Sequence, residues 1–211
     1  MRGIFAAALC AGLFGCAAFG TKVRVTDPAA LQSVQRVAVW PSLVVPLINR
    51  MDEKYPELVD TMLANDYLFR EETLEYSKVT DQRVFGELKT AGLFDVVSAD
   101  SVSAAILEKH PDFSPLNRSE WRDYRDFLDA EHIVTTKLSF GREGNGINTY
   151  VTLSLFNVES GMKVMETTFN TKWGKSYVFE QSVMKTLPDA VHGAVAGMTK
   201  EMRKQRQPSG K

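Results

Sequence analysis

The order of apolar patterns predicts an α/β fold: a single mixed β-sheet with packed helices. Three observations carry this. Residues 131–173 contain three adjacent strand patterns, clearest in "TYVTLSLFNV", where Val151, Leu153 and Leu155 alternate with Thr152 and Ser154. A closing segment near 177–204 carries Leu187, Val191, Val195, Met198 and Met202 at helical spacing. Ahead of both, short strand patterns alternate with helical ones, the order of a layered α/β domain.

Taken in order, "VQRVAVWP" (34–41) reads as the first strand, stopped by Pro41. "SLVVPLINR" reads as an apolar loop, and "PELVDTMLAND" (56–66) as a helix through Leu58, Met62 and Leu63. Residues 67–78 are open to helix or strand. Thr80 is placed to cap a helix whose buried face is Val84, Phe85 and Leu88, and which ends at Gly92, a residue free to take positive φ. "LFDVVS" follows as a strand. Ser98 or Asp100 then caps "SVSAAILEKH", stopped by Pro111. "SEWRDYRDFLDA" (119–130) puts Trp121, Tyr124, Phe127 and Leu128 on one helical face, with Ser119 as its cap. "GREGNGIN" and "ESGM" are the turns between the three late strands. Pro188 restarts or kinks the last helix, and "KQRQPSGK" frays.

The first residues raise a separate question. Arg2 precedes an apolar run from Ile4 to Phe14, the layout of a secretory signal and shorter than a spanning helix needs. Cys10 lies inside that run, and Cys16 ends "LFGC", behind Leu13 and Gly15. This resembles the lipobox of bacterial lipoproteins, although Phe14 stands where a small residue is usual. The resemblance implies cleavage before Cys16, a diacylglycerol on its thiol, palmitate among the acyl chains, and, with Ala17 rather than aspartate next, sorting to the outer membrane. Ordinary secretion with cleavage near Ala18 is the alternative, and it leaves Cys16 without a role. The expected organisation is a signal peptide over 1–15, a lipidated tether over 16–33, the α/β domain over 34–204 and a flexible tail over 205–211. A tether of that length spans at most about 60 Å.

The formal charge of −1 over 211 residues argues against an electrostatic nucleic-acid surface. With cleavage before Cys16, no cysteine other than the anchor remains, which suits an oxidising compartment.

Three stretches carry a second resemblance. They are "VQRVAVWP", "ELKTAGLFDVVSADSVSAAILEK", and "DAEHIVTTKLS" followed by "TLSLFNVESGMKVMETT". In this order they resemble the α/β domain shared by the curli secretion lipoprotein CsgG, the synthase activator LpoB and the N-terminal domain of TolB. Trp40 departs from the usual leucine, and residues 46–79 match nothing in that pattern. The resemblance implies a non-enzymatic lipoprotein on the periplasmic face of the outer membrane that binds another envelope protein, with self-association open. A subunit of a CsgG-like channel is the alternative. It needs two long alternating hairpins, for which "REETLEYSK" is too charged and "GREGNGIN" too short and polar.

Catalytic patterns are weak. Ser182-Val-Met-Lys185 matches S-x-x-K without its companion motifs. His110, His132 and His192 are scattered, so neither a metal nor another cofactor is expected. The glycines of "GREGNG" lie between strands and make a hairpin, not a nucleotide loop, and Glu71, Glu72 and Glu75 read as a solvated helix face. An envelope hydrolase is therefore disfavoured. What remains is aromatic: Trp40 after the first strand, and Trp173 and Tyr177 between Phe169 and Phe179. These are either core cover or anchors for a partner.

Overall fold

The computed structural model describes residues 20–46, 67–114, 121–143, 146–171, 174–175 and 179–207. Its strands are β1 (Lys22–Val25), β2 (Arg36–Val39), β3 (Leu43–Pro46), β4 (Asp95–Val97), β5 (His132–Glu143), β6 (Gly146–Asn157), β7 (Lys163–Asn170) and β8 (Gly174–Lys175). The α-helices are α1 (Pro28–Gln32), α2 (Tyr67–Ala91), α3 (Ala99–Leu107) and α4 (Phe179–Arg206). The strands form one sheet in the order β1-β7-β6-β5-β2-β4, with β3 also on β5 and β8 also on β6. It is mixed: β2 runs parallel to β4 and β5, and β3 parallel to β5, whereas β5, β6, β7 and β1 pair antiparallel. The expected fold class is the one found.

The sheet separates two cores because its strands alternate. Val37 and Val39 of β2 join Val134, Leu138, Leu153 and Leu155 beneath α1, α2 and α4. Ala38 and Trp40 point the other way, toward Val102, Ile106, Phe113 and Trp121. Leu187, Val191, Val195, Met198 and Met202 are all buried, so the stripe read in α4 is its sheet-facing side, and the helix is continuous through Pro188.

The segment expected as a tether is folded from its middle onward. β1 pairs with β7 from Lys22↔Thr168 to Val25↔Met165. The side chain of Asp27 caps α1 by accepting from the N–H groups of Ala29 (3.1 Å) and Ala30 (3.0 Å), with Pro28 in the first turn. Two contacts with α4 hold this segment down. A Cβ on Gly197 would stand 2.1 Å from Cγ2 of Thr21, so only glycine lets the helix lie this close. At the helix end, the Arg206 guanidinium donates to the carbonyls of Leu31 (3.3 Å), Leu93 (2.6 Å) and Val34. Arg206 is thus a structural clamp, not part of a frayed tail.

Other elements depart locally. "SLVVPLINR" contributes β3, which continues along the edge of β5 where β2 leaves off. Residues 67–78 are helical, and Thr80 lies inside α2, its hydroxyl donating to the Tyr76 carbonyl at 2.6 Å, so it caps nothing. Gly92 follows α2 at φ 64°, and Ser98 caps α3 by accepting from the Ser101 N–H at 3.1 Å, both as the sequence indicates. Trp121–Phe127 is a 3-10 helix broken at Tyr124 (φ −121°) rather than a longer α-helix. The β5–β6 ladder runs to Glu143↔Gly146, so most of the expected "GREGNGIN" turn is strand. The helix read over 56–66 and the cap at Ser119 lie outside the described residues.

Candidate functional site

The described surface has a groove of about 1340 Å³ at the free edge of β4. It forms because three elements stop there. Among the described residues β4 is the last strand of the sheet, α2 ends at Ala91 and α4 ends at Arg206. The Asp95 N–H donates to the Gln35 carbonyl at 2.8 Å, toward β2. Strand alternation therefore turns the N–H and C=O of Val96 to the open side.

The walls are cationic and amide-rich. Arg36, Lys89, Lys204 and Arg206 line the groove against one carboxylate, Asp95, and Gln32, Gln35, Gln205 and Gln207 complete the rim. Two helix C-termini, each carrying partial negative charge, meet here. Arg203 answers one by donating to the Ala91 carbonyl at 3.1 Å, and Arg206 braces the adjoining backbone as described above. Arg36 pairs with Asp129 at 2.7 Å on the surface, and Lys204 lies 3.6 Å from Glu201. Lys89 and Lys204 are exposed, at the ends of the adjacent helices α2 and α4. No local pattern announced this groove, since its lining comes from α1, β2, α2, β4 and α4.

A second feature is buried. The Asp81 carboxylate accepts from the N–H of Ser42 at 2.9 Å and from its hydroxyl, while the Ser77 hydroxyl donates to the Ser42 carbonyl at 2.9 Å. Burial pushes the Asp81 carboxyl up to about 7, helped by the negative charge of Asp100 and opposed by the two Ser42 donors. Ser42 is only 4% exposed and Asp81 is half-buried. The pair ties the start of β3 to α2.

The expected site residues fare differently. Trp40 is 8% exposed, edge-on to Phe113 with ring centroids 5.9 Å apart and 6.1 Å from Tyr124. It belongs to the second core, and the partner-anchor reading does not hold for it: the residue after β2 points into the layer under α3. Cys16, Trp173 and Tyr177 lie outside the described residues. His192 is exposed, its Nδ1 3.1 Å from Glu87, and His110 sits edge-on to Tyr124 and Phe127. His132 is buried with neither ring nitrogen hydrogen-bonded, and burial holds its pKa below the usual value. Among the described residues, no group of three His, Cys, Asp or Glu side chains is placed to hold a metal. None of the described helices is long and apolar enough to cross a membrane.

No protein-family model and no curated protein matches the sequence. Among solved structures, the chain is similar to the dodecamer of a leucine-to-methionine variant of PelC from Paraburkholderia phytofirmans (TM-score 0.44, 15% identity, covering 85% of this chain and 98% of that one). It is also similar to the lipoprotein GNA1162 from Neisseria meningitidis (0.38, 12%, 76% and 96%). A third is the LpoB C-terminal domain from Escherichia coli (0.36, 14%, 67% and 84%). Likeness at this level assigns neither family nor function.

Proposed function

We propose that this is a non-enzymatic lipoprotein, held at the periplasmic face of the outer membrane through acylated Cys16, whose α/β domain binds another envelope protein, as the resemblance to CsgG, LpoB and TolB implies. The observation that carries the reading is the short distance between anchor and fold. "LFGC" ends at Cys16, and Thr21 is already seated against α4, its hydroxyl donating to the Gly193 carbonyl at 3.4 Å. Five peptide steps reach at most about 18 Å, far less than the expected tether. The domain is then confined beside the membrane, which raises its effective concentration for partners held there, including further copies of itself.

The channel alternative has less support. Transmembrane strands need about 9–11 residues free to face lipid. "REETLEYSK", one of the segments that would have to supply a hairpin of such strands, lies within helix α2.

Intact-mass analysis of the mature protein from the membrane fraction tests the anchor. It should begin at acyl-Cys16, and Cys16→Ser should leave an uncleaved or soluble protein. A mature start elsewhere, or membrane retention of the Cys16→Ser chain with an unmodified mature terminus, would overturn the reading.

A further inference from the structure

We propose that the free edge of β4 and the groove along it receive an extended, acidic segment of a partner protein, added to the sheet as one more strand. The inference rests on the reading of the protein as a binder of envelope proteins and names the chemistry of what it binds.

Two independent features converge. The first is the edge itself. Val96 presents an N–H and a C=O away from β2, and an extended backbone is the ligand that satisfies such a pair with further residues in register. The second is charge. Four cationic side chains face one carboxylate in the groove. Arg206 is committed to three carbonyls, whereas Arg36 and Lys204 hold only exposed ion pairs, with Asp129 and Glu201, that an incoming carboxylate can replace; Lys89 and Lys204, both exposed at helix ends, are the cations most open to a ligand. They stand on the ends of α2 and α4, which pack side by side over one face of the sheet. An incoming strand with acidic side chains on alternate positions would place carboxylates toward both lysines, while a basic segment would meet like charge. The amides of Gln32, Gln35, Gln205 and Gln207 can donate to the same carboxylates or to backbone carbonyls. Among the described residues the other edge of the sheet, β1, is of another kind. Its Lys22 and Arg24 project from an exposed strand, the pattern that discourages strand addition, and the groove does not run along it.

The test uses the full-length acylated protein in neutral detergent micelles and fluorescence anisotropy of a labelled octapeptide of alternating glutamate and threonine. Saturable binding is expected, weakened by salt. Three comparisons decide the chemistry. The lysine–threonine peptide should not bind. The glutamate–threonine peptide N-methylated at alternate residues should bind about tenfold more weakly or worse, because it cannot complete the ladder. The variant carrying Lys89→Glu and Lys204→Glu should lose about tenfold or more, since reversing both charges replaces attraction with repulsion. If circular dichroism shows that variant unfolded, Lys89→Gln with Lys204→Gln gives the same comparison. Absence of binding, equal binding of the N-methylated peptide, or no effect of the lysine variants would each overturn the proposal. So would tighter saturable binding of inorganic polyphosphate or phosphatidylglycerol vesicles, which would assign the groove to phosphate. If the peptide fails while Cys16 is acylated and envelope proteins still crosslink to the domain, this inference falls and the functional reading stands. If Cys16 is not acylated, the functional reading falls first.

Discussion

Asp81→Asn should change how stability depends on pH, and the sign follows from the site. In the folded protein the Asp81 carboxyl is pushed from 3.8 to about 7, chiefly by burial. The folded state therefore holds this proton more tightly than the unfolded chain does. The stabilisation is fully present below pH 3.8 and is lost as pH rises through about 7. Over the whole interval this amounts to about 4 kcal/mol, of which about 2–3 kcal/mol falls between pH 5 and pH 8. For a chain of this size that is about 5–10 °C in Tm. Asparagine keeps the shape, accepts from the Ser42 N–H and hydroxyl through its own oxygen, and never ionises. Buried His132 works in the opposite sense, because burial keeps it neutral and acid costs stability as the unfolded chain takes up the proton. That background is common to both proteins and cancels in the comparison. Thermal unfolding by circular dichroism at pH 5, 6, 7 and 8 is the assay. The wild type should lose stability relative to Asp81→Asn by about 5–10 °C across the series. Parallel profiles would refute the reasoning. So would a wild type that gains on the variant as pH rises, since that means Ser42 stabilises the carboxylate more than burial opposes it.

Gly197→Ala should destabilise by about 1–3 kcal/mol through overpacking against Thr21, and Thr21→Ala should recover part of the loss. A higher Tm, as helix propensity alone would give, would show that the N-terminal strand does not lie where described. Trp40→Ala should cost about 3–5 kcal/mol in urea unfolding; unchanged stability with a lost partner would restore the anchor reading. Arg206→Gln should cost about 2 kcal/mol or more and speed hydrogen exchange in α1 and the turn after it, where it holds the carbonyls of Leu31 and Val34.

Long elements decided by burial along their whole length were legible. The α4 stripe and the β6 alternation each repeat one environment over many residues, and Gly92 and Gly161 mark turns that need positive φ, 64° and 67°. "KVRV" was not read as a strand because it lies at an edge, where Lys22 and Arg24 suit solvent and mask the alternation. Its neighbour did carry a local signal, Asp27 followed by Pro28. Thr80 looks like a cap because Asp81 and an apolar run follow it, yet packing against α4 and β3 extends α2 well upstream. The remaining features are long-range. Asp81 meets Ser42 across 39 residues, and Arg206 meets Leu31 across 175. The groove exists only because α2, α4 and the sheet end at one place, which no local window contains.

The central claim is that a membrane-confined domain meets an envelope partner. Site-specific photo-crosslinking in intact cells tests it most directly, with photoreactive side chains at Lys89 and Lys204 on the groove rims and at Met162, which is 65% exposed, in the β6–β7 turn. The account predicts adducts with a protein at or near the outer membrane, or with further copies of this chain, formed from the groove positions and lost when Cys16→Ser releases the anchor. Adducts with inner-membrane synthases, or the same adducts formed in full by the Cys16→Ser chain, would contradict it.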